Sequence, residues 1–186
     1  MNVLAIEVST SSAKAMVFST DRGIRGVCSA PYKDSVSDVV SQDPEGIYQA
    51  LVECARNVVE KVGCSIDGIG LGSTWHSLLF LDRHRKPIGR ILTWANTEAA
   101  PTAYRYREDE ELKLWFYRKT GCMVHSIYPV WKYIHARQNR YQELDPEGHL
   151  SSQAEYIFER MTGEVAVSTS IASGTGFMNI HTLEWD

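Results

Sequence analysis

No apolar run in this sequence approaches the roughly 20 residues that a membrane-spanning helix needs, and the N-terminus reads as a strand without a signal-peptide pattern. Both absences argue against a helical membrane protein and predict a cytoplasmic one. Cysteine is sparse: Cys28, Cys54, Cys64 and Cys122 stand far apart in sequence, without the paired spacing of zinc or redox motifs. The expectation is therefore four reduced thiols. Neither sign of charge dominates, and a net charge of −4 gives no reason to expect nucleic acid or anionic membrane as a partner. Internal repeats, low-complexity tracts and interdomain linkers are missing too, so 186 residues read as one domain with a sizeable core. Hydrophobic content of 44% and charged content of 23% are those of an ordinary soluble globular chain.

What is present begins with the first twenty residues. Val3-Leu4-Ala5-Ile6 is an apolar strand, Ser9-Thr10-Ser11-Ser12 a hydroxyl-rich turn, and Lys14 to Phe18 a second strand. Asp21-Arg22-Gly23 turns the chain into a third, Gly23 to Cys28, and the polar stretch Tyr32 to Gln42 reads as a loop. Asp43-Pro44-Glu45 opens a helix, as an N-cap followed by proline at the first helical position. Ile47, Leu51, Ala55, Val58, Val59 and Val62 continue at helical spacing to a stop at Gly63.

A buried strand is expected at Ile66 to Leu71, then a hairpin of Ser77–Leu81 and Ile88–Trp94 across Asp82 to Lys86. Beyond Thr97 the pattern turns helical, over Glu98–Tyr106, Asp109–Lys119, Pro129–Arg140 and Ser152–Met161. Gly121 and Gly163 supply stops, and Ser152 with Glu155 forms a capping box. Val165 to Gly176 carries little periodic signal.

Two stretches carry chemistry. The turn at Ser9 to Ser12 gathers backbone N–H groups and hydroxyls in one concavity, a means of holding phosphate, and Glu7 could reach a phosphate-bound Mg²⁺ through water. The same residues also suit an ordinary hairpin with a solvated turn. Gly68, Gly70 and Gly72 end a strand and imply close approach to a ligand or a neighbouring strand; no phosphate-binding helix follows, which excludes a dinucleotide site. Trp75 and His76 come next. A ring can pack on the apolar face of a sugar while imidazole bonds its hydroxyls; alternatively the pair is core packing and a satisfied histidine.

Glu7-Val8-Ser9-Thr10-Ser11-Ser12-Ala13-Lys14 resembles the first phosphate loop of the FGGY carbohydrate kinases, with Glu7 for the usual Asp and Ser9 for the usual Gly. The resemblance implies that Thr10, Ser11, Ser12 and Lys14 hold ATP phosphates, with Glu7 serving Mg²⁺ indirectly through water. It places Trp75-His76 at the family's Met-His pair, which lines the sugar pocket. Trp94-Ala95-Asn96-Thr97-Glu98 resembles Trp-x-Asp/Asn-x-Arg, so Asn96 is expected on substrate hydroxyls. Glu98 reverses the charge of the arginine there and suits the first turn of a helix.

Thr120 to Lys132 is similar to the gluconate kinase branch, where His125 and Lys132 would suit a sugar-acid carboxylate. Read as residues, they are equally a loop hydrogen bond and an exposed helix face. Ser170 to Asp186 carries the longest branch-like match, Ser-x-Ala-Ser-x-Thr-Gly-x-x-Asn-x-x-Thr-Leu-x-Trp-Asp, and is expected to serve structure.

Three antiparallel strands, a helix and another strand then fit an α/β, ribonuclease-H-like core of the actin-like ATPase superfamily, with mixed sheet and helical insertions. The resemblance implies that residues 1–186 are an incomplete N-terminal, sugar-binding domain. The catalytic aspartate and the C-terminal nucleotide-binding domain are expected beyond Asp186. It implies phosphoryl transfer from MgATP to a terminal hydroxyl of a sugar or sugar acid, and it leaves a homodimer possible. The alternative is a non-catalytic sugar-binding or regulatory descendant.

Overall fold

The structure is a computed structural model, described for residues 1–140 and 144–186. It divides into two compact units, Met1–Thr74 and Trp75–Asp186. No linker marks the division in the sequence, because it falls in a short turn between elements whose composition does not change.

In the first unit, β1 (Asn2–Val8) and β2 (Ser12–Ser19) pair antiparallel, and β3 (Gly23–Pro31) adds beside β2. Alternation puts Leu4, Ile6 and Val8 of β1 with Ala13, Ala15 and Val17 of β2 on one buried face. Ser41–Gln42 forms the short β4. Helix α1 (Pro44–Val62) starts where Asp43 Oδ2 accepts the Gly46 N–H at 2.8 Å, and stops where Gly63, at φ 63°, donates to Val59 O. Its inward stripe is Ile47, Leu51, Cys54 and Val58, so Cys54 takes the place expected of Ala55. The helix lies so close to β3 that a Cβ on Gly26 would meet Val62 Cγ2 at 2.7 Å.

One expectation changes here, and one spatial relation is added. The strand after α1 is β5 (Gly68–Ser73), parallel to β1 at the edge of the order β3-β2-β1-β5. As an edge strand it is not buried, and Ile69 is 55% exposed. The cysteines, distant in sequence, are not all distant in space: the Cys28 thiol donates to Cys54 Sγ at 3.2 Å.

In the second unit, β6 (Leu78–Leu81) and β7 (Pro87–Leu92) form the expected hairpin, its tip held by a bidentate pair in which Arg85 Nε donates to Glu159 Oε1 at 2.6 Å. A third strand, β8 (His149–Ser151), pairs with β6 and was not foreseen, being three residues long in a polar stretch. Helices follow as α2 (Ala100–Arg107), α3 (Glu110–Thr120), α4 (Pro129–Asn139) and α5 (Gln153–Thr162). Helix α2 begins two residues later than expected, since Asn96 Oδ1 captures the Glu98 N–H in a turn. The Ser152–Glu155 capping box on α5 is present. The weakly patterned segment holds one short helix, α6 (Thr169–Ser173), before a β9 (Met178–Asn179) and β10 (Glu184–Trp185) ladder. Ala103, Phe116, Cys122, Val124 and Trp131 pack as the core of the helical part.

Candidate functional site

In the first unit, the turn at Ser9 to Ser12 is fastened by its carbonyls. Gln42 Nε2 donates to Ser9 O at 3.0 Å and Thr10 O at 3.1 Å, Ser37 Oγ donates to Thr10 O at 2.7 Å, and Tyr32 N donates to Ser11 O at 2.9 Å. A trans peptide points its N–H opposite its C=O. The Thr10–Ser11 peptide, whose carbonyl takes the Ser37 and Gln42 bonds, therefore turns its N–H to the other side, the polarity a phosphate cradle needs.

Ser9 in the family's glycine position is not strained, since it is absent from the residues of positive φ. Its Oγ donates to Ser12 O at 2.9 Å and accepts from Ser12 N at 3.1 Å, closing the turn. Gln42 was missed by sequence reasoning. It is fully buried, and its signal was a glutamine immediately before a helix cap, in a stretch read as loop. Glu7 and Lys14 are cross-strand partners, with Lys14 Nζ donating to Glu7 Oε2 at 3.1 Å. Both stay half exposed. Among the described residues, no group of three or more His, Cys, Asp or Glu could hold a metal ion, so Glu7 would offer Mg²⁺ a single carboxylate. The glycines of β5 do not mark a close approach: a Cβ on Gly68 or Gly70 would meet nothing within 4 Å, and one on Gly72 only ordinary contacts.

In the second unit, His76 sits at φ 61°, a conformation costing a non-glycine residue roughly 1–2 kcal/mol. Its Nδ1–H donates to Gly174 O at 2.7 Å. Because a carbonyl can only accept, that bond assigns the ring proton to Nδ1 and leaves Nε2 as an acceptor. Burial lowers the His76 pKa, opposed by the hydrogen bond to Gly174 and assisted by the nearby Lys132, which favours the neutral ring. Tyr128 meets the imidazole edge-on at 4.9 Å, and Trp75, 47% exposed, lies beside it at 5.4 Å. The wall behind is Gly174. A Cβ on Gly174 would stand 3.1 Å from His76 Cε1, so the branch-like segment expected to serve structure supports the imidazole directly.

Lys132 is 2% exposed, so the exposed helix face is not where it lies. Nζ donates to Ile127 O at 2.6 Å and to His76 O at 3.3 Å, and desolvation lowers its pKa to about 7. Asn96 lines a different recess, with Glu98, Lys132 and Arg140 among its neighbours and a volume of about 10 Å³, room for one water. The structure thus brings Trp75, His76 and Lys132 together, while Asn96 shares a recess with Lys132 without joining the Trp75–His76 cluster. His125 is exposed, and its Nδ1 accepts the Ile127 N–H at 3.1 Å, the loop hydrogen bond of the plainer reading. A cavity of about 300 Å³ opens nearby, lined by Ser77, Pro129, Glu155, Thr175 and Trp185 among others. None of the residues expected at the site lines it.

Three antiparallel strands, a helix and a parallel fourth strand are the ribonuclease-H-like arrangement of the actin-like ATPase superfamily, here with a mixed second unit. The chain belongs to the FGGY family of carbohydrate kinases: residues 2–186 match that family's N-terminal domain. Among curated proteins it is 29% identical to the gluconokinase of Bacillus subtilis, over 99% of this chain and 36% of that one. It is 26% identical to the xylulose kinase of Streptomyces rubiginosus, over 99% and 38%. Among solved structures, a ligand-bound xylulose kinase from Lactobacillus acidophilus superposes with a TM-score of 0.90 at 26% identity, covering 100% of this chain and 38% of that one. A gluconate kinase from the same organism gives 0.90 at 25%, with the same coverage. The chain therefore spans little more than a third of the relatives it matches.

Proposed function

We propose that this chain is the sugar-binding, N-terminal part of an ATP-dependent carbohydrate kinase acting on a sugar or sugar acid, gluconate-like or pentulose. The observation that carries the reading is the hydrogen bond from His76 Nδ1 to Gly174 O. With Nδ1 fixed on Gly174 O, its Nε2 lone pair is an acceptor of defined direction beside the exposed face of Trp75, suited to one hydroxyl and one apolar sugar face. MgATP would supply the transferred phosphoryl group. The outward amide of the Ser9–Ser12 turn would take a phosphate oxygen, Thr10, Ser11 and Ser12 would add hydroxyls, and Lys14 would add charge, with Glu7 touching Mg²⁺ through water. Asn96 and His125 complete the sugar-side set, with Lys132 behind His76 on the carbonyls of His76 and Ile127. The general base and the adenine grip are assigned to sequence outside residues 1–186, with catalysis resting on positioning between two domains.

The Glu7–Lys14 pairing favours the alternative, a non-catalytic sugar-binding descendant, since it engages both charges of the phosphate turn with each other. Titration calorimetry with gluconate, xylulose and glycerol tests the sugar site. His76→Ala is expected to weaken binding by about tenfold or more, since a buried polar partner is worth about 1–3 kcal/mol. Unchanged affinity with the fold intact removes His76 from the site. In a coupled ADP-release assay the 186-residue chain is expected to be silent; sugar-dependent turnover that co-purifies with it would mean that the general base lies within these residues.

A further inference from the structure

His76 occupies a backbone region that residues other than glycine rarely adopt, so something must hold it there. The ring is held by the Gly174 carbonyl and the Tyr128 edge. The main chain is held separately, from α4. Lys132 extends from that helix into the interior and divides its N–H groups between two carbonyls, His76 O before β6 and Ile127 O before α4. A buried amine is costly unless bonded, and a neutral amine has two N–H groups for those two acceptors. Both bonds therefore survive loss of the charge. Ile127 precedes Tyr128, so one side chain fastens the two loops whose aromatic residues meet edge to face.

We propose that Lys132 is a positioning residue: its bonds to the carbonyls of His76 and Ile127 keep His76 in the left-handed conformation that aims Nε2 at the ligand. The inference rests on the reading of His76 as a sugar-binding residue, and it gives Lys132 a role that acts through His76 without touching a sugar-acid carboxylate.

A double-substitution cycle on the 186-residue chain tests it, read as melting temperature. Glycine enters the left-handed region without penalty, so His76→Gly removes the backbone cost that the Lys132 bonds are needed to offset. The shift caused by Lys132→Met is expected to be at most half as large in the His76→Gly background as in the unsubstituted chain. A larger fraction means that the lysine merely fills space, and overturns the proposal. Should Lys132→Met abolish folding, recovery of the fold by His76→Gly supports the proposal and failure to recover overturns it.

Histidine ring ¹⁵N spectra supply a second readout. The single Nδ1–H tautomer of His76 is expected in the unsubstituted chain and lost in folded Lys132→Met; its retention also overturns the proposal. Failure of gluconate, xylulose or glycerol to bind the unsubstituted chain would count against the sugar site while leaving the cycle and the spectra to decide the role of Lys132.

Discussion

Gly176, two residues after the glycine that backs His76, is the most tightly packed position of the Gly174–Gly176 run. Its φ is 79°, and a Cβ there would lie 2.5 Å from Val130 Cγ1 and 3.2 Å from Phe116 Cζ. Val130 cannot readily yield, because its N–H donates to Thr175 O at 3.0 Å and it packs against the Phe116–Trp131 core. Gly176→Ala therefore combines two costs. The left-handed backbone contributes about 1–2 kcal/mol and overpacking about 1–3 kcal/mol, together about 2–5 kcal/mol. At about 2–4 °C per kcal/mol for a chain of this length, the melting temperature is expected to fall by roughly 4–20 °C. Gly163→Ala is the control: its φ is 78°, but a Cβ there meets nothing within 4 Å, so only the backbone cost of about 1–2 kcal/mol applies, roughly 2–8 °C. Gly70→Ala, at ordinary φ and in open space, is expected to be near neutral. Thermal melts of the three variants, followed by circular dichroism, decide the matter. If Gly176→Ala melts no lower than Gly163→Ala, the close packing of Gly176 on Val130 is wrong.

Two further outcomes are expected. Hydrogen peroxide should join Cys28 and Cys54, which lie 3.2 Å apart, with loss of two hydrogens as the peroxide is reduced to water; the product should melt higher, and Cys54→Ala should abolish the change. Absence of the Cys28–Cys54 peptide from a non-reducing digest would refute it. Lys132 fixes the direction of one pH dependence: its folded pKa, about 7, lies below the ordinary 10.5, so between those values the unfolded chain binds more protons and stability contributed at this site rises with pH. Relative to Lys132→Met, the unsubstituted chain should gain stability in urea titrations between pH 7 and 10, and a flat difference would refute the assignment.

Much of the frame was legible because local signals agreed with the fold. The alternation of β1 and β2, the Asp43 and Ser152 caps and the stops at Gly63, Gly121 and Gly163 are each decided by residues within a few positions of one another. What escaped depends on partners far apart in the chain. Strand β8 is three residues long and exists because β6 offers it an edge; nothing in His149-Leu150-Ser151 states that. The exposure of Ile69 follows from the place of β5 at the end of the strand order, which its apolar composition cannot reveal.

The site divides along the same line. Residue types at Trp75, His76 and Lys132 were readable, but their arrangement was not, because the partners are main-chain atoms. Gly174 O fixes the imidazole, and the carbonyls of His76 and Ile127 receive the lysine. A carbonyl is common to every residue and leaves no mark in a sequence. The readable trace is indirect: a Cβ on Gly174 would crowd the ring at 3.1 Å, beside the carbonyl that bonds Nδ1 at 2.7 Å. The glycines of β5 attracted attention and make no close approach. Gly174, in a segment with little periodicity, sets through its carbonyl the direction in which His76 can accept a hydrogen bond.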